Sequence, residues 1–291
     1  MTMKPIDIIK IIENTAPPGI AAVWDASGVQ VAAFRPEIAN LAVMLDPSPA
    51  NLRRAIDAGA DFILAHHPLA MKPRFPNVLD SYFSALSLLI SDNVWLYSAH
   101  TSLDANPRGP AFWLAHALGL RDLALLEPLP EIGPLAGCPA QNADANGQAV
   151  DMPSGYGFGF TGTLPEPLAY DDFCARLAAC LGKADWQACG PRPRRVSRLA
   201  CCPGSGGGLV PDALRAGADV FVTGDVKYHA ALDARDGGLR VLDVGHFVLE
   251  EEMMRRFAER LAAELSVPVR FFAGSDPLEG ERAPNVRAVD E

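Results

Sequence analysis

At 291 residues and 49% hydrophobic content, the chain is long enough to bury one large core or two smaller ones. A formal charge of −10 excludes a general nucleic-acid binder, which needs a basic surplus to neutralise phosphates, so any anionic substrate must be drawn in locally by metal ions or a few Lys and Arg. No stretch is apolar for long enough to span a bilayer, the first residues lack a signal-peptide profile, and the six cysteines show no C-x-x-C spacing, so the expected setting is the reducing cytoplasm.

In chain order, Pro5 opens a first helix over 5–14. The turn Trp24-Asp25-Ala26-Ser27-Gly28 leads into a strand, Val29 to Phe34. A strand over Leu41–Met44 is followed by a helical segment over 51–58 and the tripeptide Gly59-Ala60-Asp61. The apolar run Phe62-Ile63-Leu64 then ends on His66-His67. Another strand, Val94 to Tyr97, ends at Ser98-Ala99-His100-Thr101-Ser102-Leu103-Asp104. His116, within the apolar helical run Phe112 to Ala115, reads as a core histidine. Residues 127–155, rich in Pro, Gly, Asn and Ala, read as a linker or loop.

The strand Leu199–Cys202 runs through Pro203-Gly204-Ser205-Gly206-Gly207-Gly208 into a helix over 210–216, then Gly217-Ala218-Asp219 and the strand Val220-Phe221-Val222. A polar run, Thr223 to His229, follows. The strand Leu239–Leu242 ends at Val244-Gly245-His246, and an amphipathic helix over 250–265 carries Met253, Met254, Phe257, Leu261 and Leu265 on one side. Residues 276–291 read as a polar tail.

These elements repeat. Leu41 and Leu199 stand 158 residues apart, and so do Gly59 and Gly217. The expectation is an α/β fold of two related lobes, each a mostly parallel sheet flanked by helices. The expected layout is a first lobe over 1–126, a connecting segment over 127–196 packed on the lobes, a second lobe over 197–275 and a tail over 276–291. In such sheets functional residues gather at the carboxyl ends of strands. The histidines and carboxylates stand there in both halves: His67 aligns with Asp225, His100 with His246, and Asp104 with Glu250.

Imidazole with carboxylate suits borderline transition metals. His66 and His67 can converge where the strand ends and the chain turns, whereas on a regular strand they would diverge. His246 and Glu250 share a helix face if a helix begins near Phe247, although Glu250 also fits ordinary charge compensation of a helix N-terminus. Asp104, before Ala105-Asn106-Pro107, fits either a ligand or a turn former. The Gly204–Gly208 run fits either an anion cradle or a close-packed turn, since it lacks the Lys-Ser/Thr ending of a P-loop. His229 is expected to line the same cleft as a proton donor or substrate contact.

Taken together, Trp24-Asp25 through Gln30, Ala65-His66-His67-Pro68-Leu69, His100 to Ala105, Gly157 to Pro165, Thr223-Gly224-Asp225 to His229 and Gly245-His246-Phe247 to Glu250 resemble the Nif-three-like family, whose members carry the name GTP cyclohydrolase 1 type 2. The resemblance runs along nearly the whole chain. It implies two lobes with a dinuclear metal cleft between them, two divalent ions (Zn, Fe, Mn, Co or Ni) and a toroidal homohexamer. It places the metal ligands at His66, His67, Asp104, His246 and Glu250, with His100 beside the metals. The implied activity is hydrolysis by metal-activated water, opening the GTP imidazole ring to give formate and dihydroneopterin triphosphate. His100 or His229 would shuttle protons, and Lys227, Arg108 or the Gly204–Gly208 loop would hold the triphosphate. A non-enzymatic metal chaperone or regulator is the alternative. The chain departs from the family pattern at Asp225, where Glu is more common, and at Val248-Leu249, where small or hydroxyl residues precede the Glu.

Overall fold

The structure, a computed structural model, describes residues 1–130 and 152–278; most of the expected 127–155 loop and of the 276–291 tail lies outside the described residues. The first helix, α1 (Pro5–Thr15), buries Ile8, Ile9 and Ile12 and has Pro at its start, where a missing N–H costs nothing. The edge strand β1 (Gly28–Val31) follows, then β2 (Leu41–Met44), α2 (Pro49–Asp57), β3 (Phe62–Ala65), α3 (Ser81–Ser91) and β4 (Trp95–Ser98). Ser48 and Asp80 cap α2 and α3 by accepting from the backbone of Asn51 and Phe83, satisfying N–H groups that the helices leave unpaired. Short helices α4 (Thr101–Asp104) and α5 (Trp113–Leu118) lead to β5 (Arg121–Pro128).

The second half contains β6 (Gly157–Ala169), α6 (Tyr170–Leu181), β7 (Gln187–Cys189), β8 (Arg195–Ser205), α7 (Val210–Arg215), β9 (Val220–Gly224), α8 (Tyr228–Asp236), β10 (Arg240–Asp243), α9 (His246–Glu264) and β11 (Val269–Phe271). Among the described residues the strands form two sheets, ordered β1-β4-β3-β2-β11 and β5-β6-β8-β9-β10-β7. The first is mostly parallel, with only β1 antiparallel at its edge. The second is mixed, which corrects the expectation of a mostly parallel sheet: β8, β9 and β10 are parallel, while β5, β6 and β7 join antiparallel. Parallel pairing needs crossover helices, and α7 and α8 supply them only between β8, β9 and β10.

Strand pairing also redistributes the expected layout. β5, at the end of the expected first lobe, belongs to the second sheet, as do β6 and β7 from the expected connecting segment. β11 crosses back to pair with β2 of the first sheet. α9 begins at His246 rather than Glu250 and packs on strands of both sheets. Its Leu249, Met253, Phe257 and Leu261 join Leu41, Leu64, Leu199 and Val222 in one central core, and each sheet keeps a smaller apolar cluster on its other face.

The Gly-Ala-Asp repeat has a specific physical job. Gly59 and Gly217, both at positive φ, close α2 and α7 by donating to Ile56 O and Leu214 O. Asp61 N and Asp219 N then donate to Asn40 O and Arg198 O beside the preceding strand of each sheet. The Asp61 carboxylate accepts from Ala39 N at 2.7 Å, and that of Asp219 from Ser197 N at 2.7 Å and Arg198 N at 2.9 Å. Each tripeptide therefore ends a helix and clamps two neighbouring parallel strands at their amino ends.

Candidate metal centre

The carboxyl ends of β3 and β4 and the start of α9 bring the principal candidates to one point. His66 is fully buried, and its Nδ1 donates to Ala99 O at 2.8 Å, leaving the Nε2 lone pair free. That Nε2 lies 3.7 Å from Asp104 Oδ1 and 3.6 Å from Glu250 Oε1. His67 donates from Nδ1 to Asp46 at 2.7 Å, and its Nε2 stands 3.1 Å from Glu250 Oε2 and 3.3 Å from His246 Nε2. His246 in turn bonds Asp225 through Nδ1 at 2.7 Å and places Nε2 2.8 Å from Glu250 Oε2. The i and i+4 positions on the first turns of α9 set this last approach.

His100 shows the same arrangement. Its Nδ1 donates to Asp25 at 3.0 Å, and its ring centroid lies 5.2 Å from that of His66 and 5.6 Å from that of His67. Asp25 also accepts from the backbone and hydroxyl of Thr101 and from the Ser27 hydroxyl. All four imidazoles are thus held by an oxygen at Nδ1. Among the described residues, two sets of ligand atoms each lie within 4.8 Å of one another, His66-His67-His100 and His67-His246-Glu250, and they share His67. His229 is not brought to this cluster: it is exposed on α8, with its ring 5.5 Å from that of Tyr228.

Three buried atoms at the centre, His66 Nε2, Asp104 Oδ1 and Glu250 Oε2, make no hydrogen bond of good geometry. Buried polar atoms are normally satisfied, so three convergent exceptions of the right donor chemistry fit a cation. The electrostatics agree. Burial pushes the Asp104 carboxyl up to about 7, with Glu250 reinforcing the shift and His66 opposing it. Burial also disfavours charge on Glu250, yet His66, His246 and His67 together hold its carboxyl well below the usual range. Burial pulls His67 down, but the bonds to Asp46 and Glu250 prevail and raise it to about 10. His246 is raised to about 9, first by its bond to Glu250. Without an ion, His67 and His246 therefore hold protons at neutral pH that balance Glu250, and a divalent ion would take the place of those protons.

The Gly-rich run serves as a close-packed turn. Gly204 has φ +68°, and a Cβ there would stand 2.1 Å from Glu250 Oε1, so only glycine admits the carboxylate. Gly206 N donates to Thr223 Oγ1 at 2.9 Å. Asp46 and Asp25, which hold His67 and His100, were not among the expected site residues. Asp46 follows the carboxyl end of β2, so the strand-end rule that found the histidines applies to it as well.

A cleft of about 720 Å³ opens beside His67 and His246, walled by Leu45 and Asp46 just after β2 and by Lys183, Asp185, Trp186, Gln187, Asp225, Asp243 and Phe247 from the second half. Neither Lys227 nor Arg108 lines it; Lys183 does. No helix among the described residues is long and apolar enough to cross a membrane.

The family model Duf34/NIF3 (NGG1p interacting factor 3) matches residues 3–277. A Clostridium perfringens protein named GTP cyclohydrolase 1 type 2 homolog is 28% identical over 281 residues, covering 95% of this chain and 99% of the relative. A Nostoc protein of the same name is 30% identical over 265 residues, covering 89% and 91%. Among solved structures, a Bacillus cereus protein related to NIF3 superposes with TM-score 0.80 at 22% identity, covering 96% of this chain and 99% of that one. Reduced HcgD from Methanocaldococcus jannaschii gives 0.76 at 26% identity, covering 93% and 98%.

Proposed function

We propose, from the premise that this chain belongs to the Duf34/NIF3 family, that it holds two divalent cations and uses them to hydrolyse a small heterocyclic substrate. His66 and Asp104 would hold one ion, His67 and His246 the other, with Glu250 shared between them. The observation that carries this reading is the convergence of His66 Nε2, Asp104 Oδ1 and Glu250 Oε2, buried and with only other candidate ligands as polar neighbours among the described residues. The mixed N/O donor set suits Zn, Fe, Mn, Co or Ni. Bound there, the pair would supply Lewis acidity and acidify a water toward neutral pH. The name of the curated relatives points to GTP as the substrate, and the reaction we propose is opening of its imidazole ring to formate and dihydroneopterin triphosphate.

The chain's own residues then have distinct tasks. Asp46 and Asp225 fix the ring orientation and tautomer of His67 and His246. Asp25 does the same for His100, which is thereby set to accept or return a proton at Nε2. His229 lies apart on α8 and takes no part in this scheme. Incubating the metal-loaded protein with GTP tests the activity: formate and pterin product lost in His67→Ala supports it. Full metal occupancy in that variant, by elemental analysis, would overturn the ligand set.

One observation favours a second reading, metal storage or delivery. His66 is sealed from solvent, whereas His67 and His246 keep 24% and 31% of their side chains exposed toward the cleft, so one ion position is open to exchange. Tight, exchangeable metal with no turnover selects this reading. We also take the chain to assemble as a homo-oligomer, a toroidal hexamer in the family pattern. Trp24, Met71, Phe75 and Leu79 are exposed apolar residues that such an interface would cover. Light scattering on the eluted protein measures the state directly.

A further inference from the structure

The cleft beside the ion ligands carries information about what it accepts. Trp186 and Phe247, both partly buried against the central core, line it with aromatic side chains. Its charges are one-sided: Lys183 is the only Lys or Arg among the described lining residues, against Asp46, Asp185, Asp225, Asp243 and Asp276. Three of these carboxylates are committed, Asp46 to His67, Asp225 to His246, and Asp243 to the backbone N–H groups of Val226 and Gly245. Among the described residues, Asp276 accepts from Leu278 N through Oδ1. Asp276 Oδ2 and the exposed Asp185 therefore remain as acceptors among the described residues, beside the second oxygens of Asp46 and Asp225, in a cleft lined by aromatic rings.

Ions at the centre would not reverse this sign. Asp104 and Glu250 face them directly, and Asp25, Asp46 and Asp225 stand behind the imidazoles, so the outer cleft keeps its own negative charge. A ring bearing N–H donors gains both stacking and hydrogen bonds here, whereas a polyphosphate meets like charge.

We propose that this cleft takes the uncharged, N–H-bearing heterocycle of its ligand, a nucleoside or base, and gives no favourable place to a phosphate tail. The proposal rests on the metal-centre reading above and refines its substrate class. The test is calorimetric titration of the full-length, metal-loaded protein with guanosine, GTP and inorganic triphosphate, with metal content measured on the same samples. Guanosine should bind at least as tightly as GTP, and inorganic triphosphate should not compete with it. The paired substitution Asp185→Asn with Asp276→Asn should move the two affinities in opposite directions, weakening guanosine and strengthening GTP by about tenfold or less each. GTP binding about tenfold tighter than guanosine, competition by inorganic triphosphate, or no binding of guanosine would each overturn the proposal while leaving the metal centre intact. Absence of metal from the samples would overturn the metal-centre reading instead, and guanosine binding to that protein would still support the cleft assignment.

Discussion

Replacing Gly204 by alanine tests the centre without touching any proposed ligand. The new Cβ would stand 2.1 Å from Glu250 Oε1, 3.1 Å from its Cδ and 3.5 Å from His246 Nε2. Ordinary contact distances of about 3.5 Å require the carboxylate to retreat by more than about 1 Å. Glu250 has little freedom to do so, because its side chain is 5% exposed and packed among three imidazoles. The backbone adds a second cost, since φ +68° at Gly204 penalises a Cβ-bearing residue by about 1–2 kcal/mol. Chemical denaturation in chelator should show a stability loss of about that size. Competition titration against a chromophoric chelator should show a larger effect, with metal affinity down by about 10–100-fold as the shared carboxylate is mis-set. Gly208→Ala is the control: its Cβ meets nothing within 4 Å and its φ is ordinary, so both measurements should match wild type. Wild-type metal affinity and full occupancy in Gly204→Ala would refute the placement of Glu250 as the shared ligand.

Chelation should remove the two ions in separate phases, the cleft-side one first, because His67 and His246 are partly exposed and His66 is sealed. A single phase followed by elemental analysis would count against unequal sites. Asp46→Ala and Asp225→Ala each free one imidazole from its oxygen partner, and should cost about 10–100-fold in metal affinity with the circular dichroism spectrum unchanged. Unaltered affinity in both would show that the rings are oriented by packing alone. Asp219→Ala leaves the N–H groups of Ser197 and Arg198 without their carboxylate, at about 1–3 kcal/mol in urea denaturation; a shift within error would contradict the clamp.

What the sequence revealed depends on how each element is buried. β2, β3 and β9 are buried along their whole length, so each reads as an unbroken apolar run between turns. β6 is not legible as a strand because Gly157, Gly159, Gly162, Pro165 and Pro167 interrupt any strand pattern. Those glycines serve close approach: a Cβ on Gly157 would stand 2.4 Å from Glu127 O of the neighbouring β5. Pairing direction was also hidden, since an apolar run does not say whether its neighbour runs parallel. At the centre, His66, His67, His246 and Glu250 stood out by residue type at strand ends. Asp25 and Asp46 did not, because a carboxylate before Ala-Ser-Gly or before Pro reads as a turn former. His229 stands close after β9 in sequence, the position of a cleft residue, but α8 carries it to the surface.

The internal repeat locates the centre, yet the centre depends on the two copies differing. The Gly-Ala-Asp clamps are alike because both copies face the same task of ending a helix and fixing two parallel strands. At the opposite strand ends the copies diverge: His67 in one corresponds to Asp225 in the other, and Asp225 bonds the imidazole of His246. Had both ends carried imidazole, His246 would lose the oxygen that fixes its tautomer, and another ring would crowd the 3.3 Å contact between His67 Nε2 and His246 Nε2 without adding negative charge. Glu250 supplies that charge by lying within reach of His66, His67 and His246 together. A single centre facing both sheets therefore requires unequal halves, one giving paired imidazoles and a carboxylate from Asp104, the other one imidazole, its Asp225 anchor and the carboxylate that all three rings share.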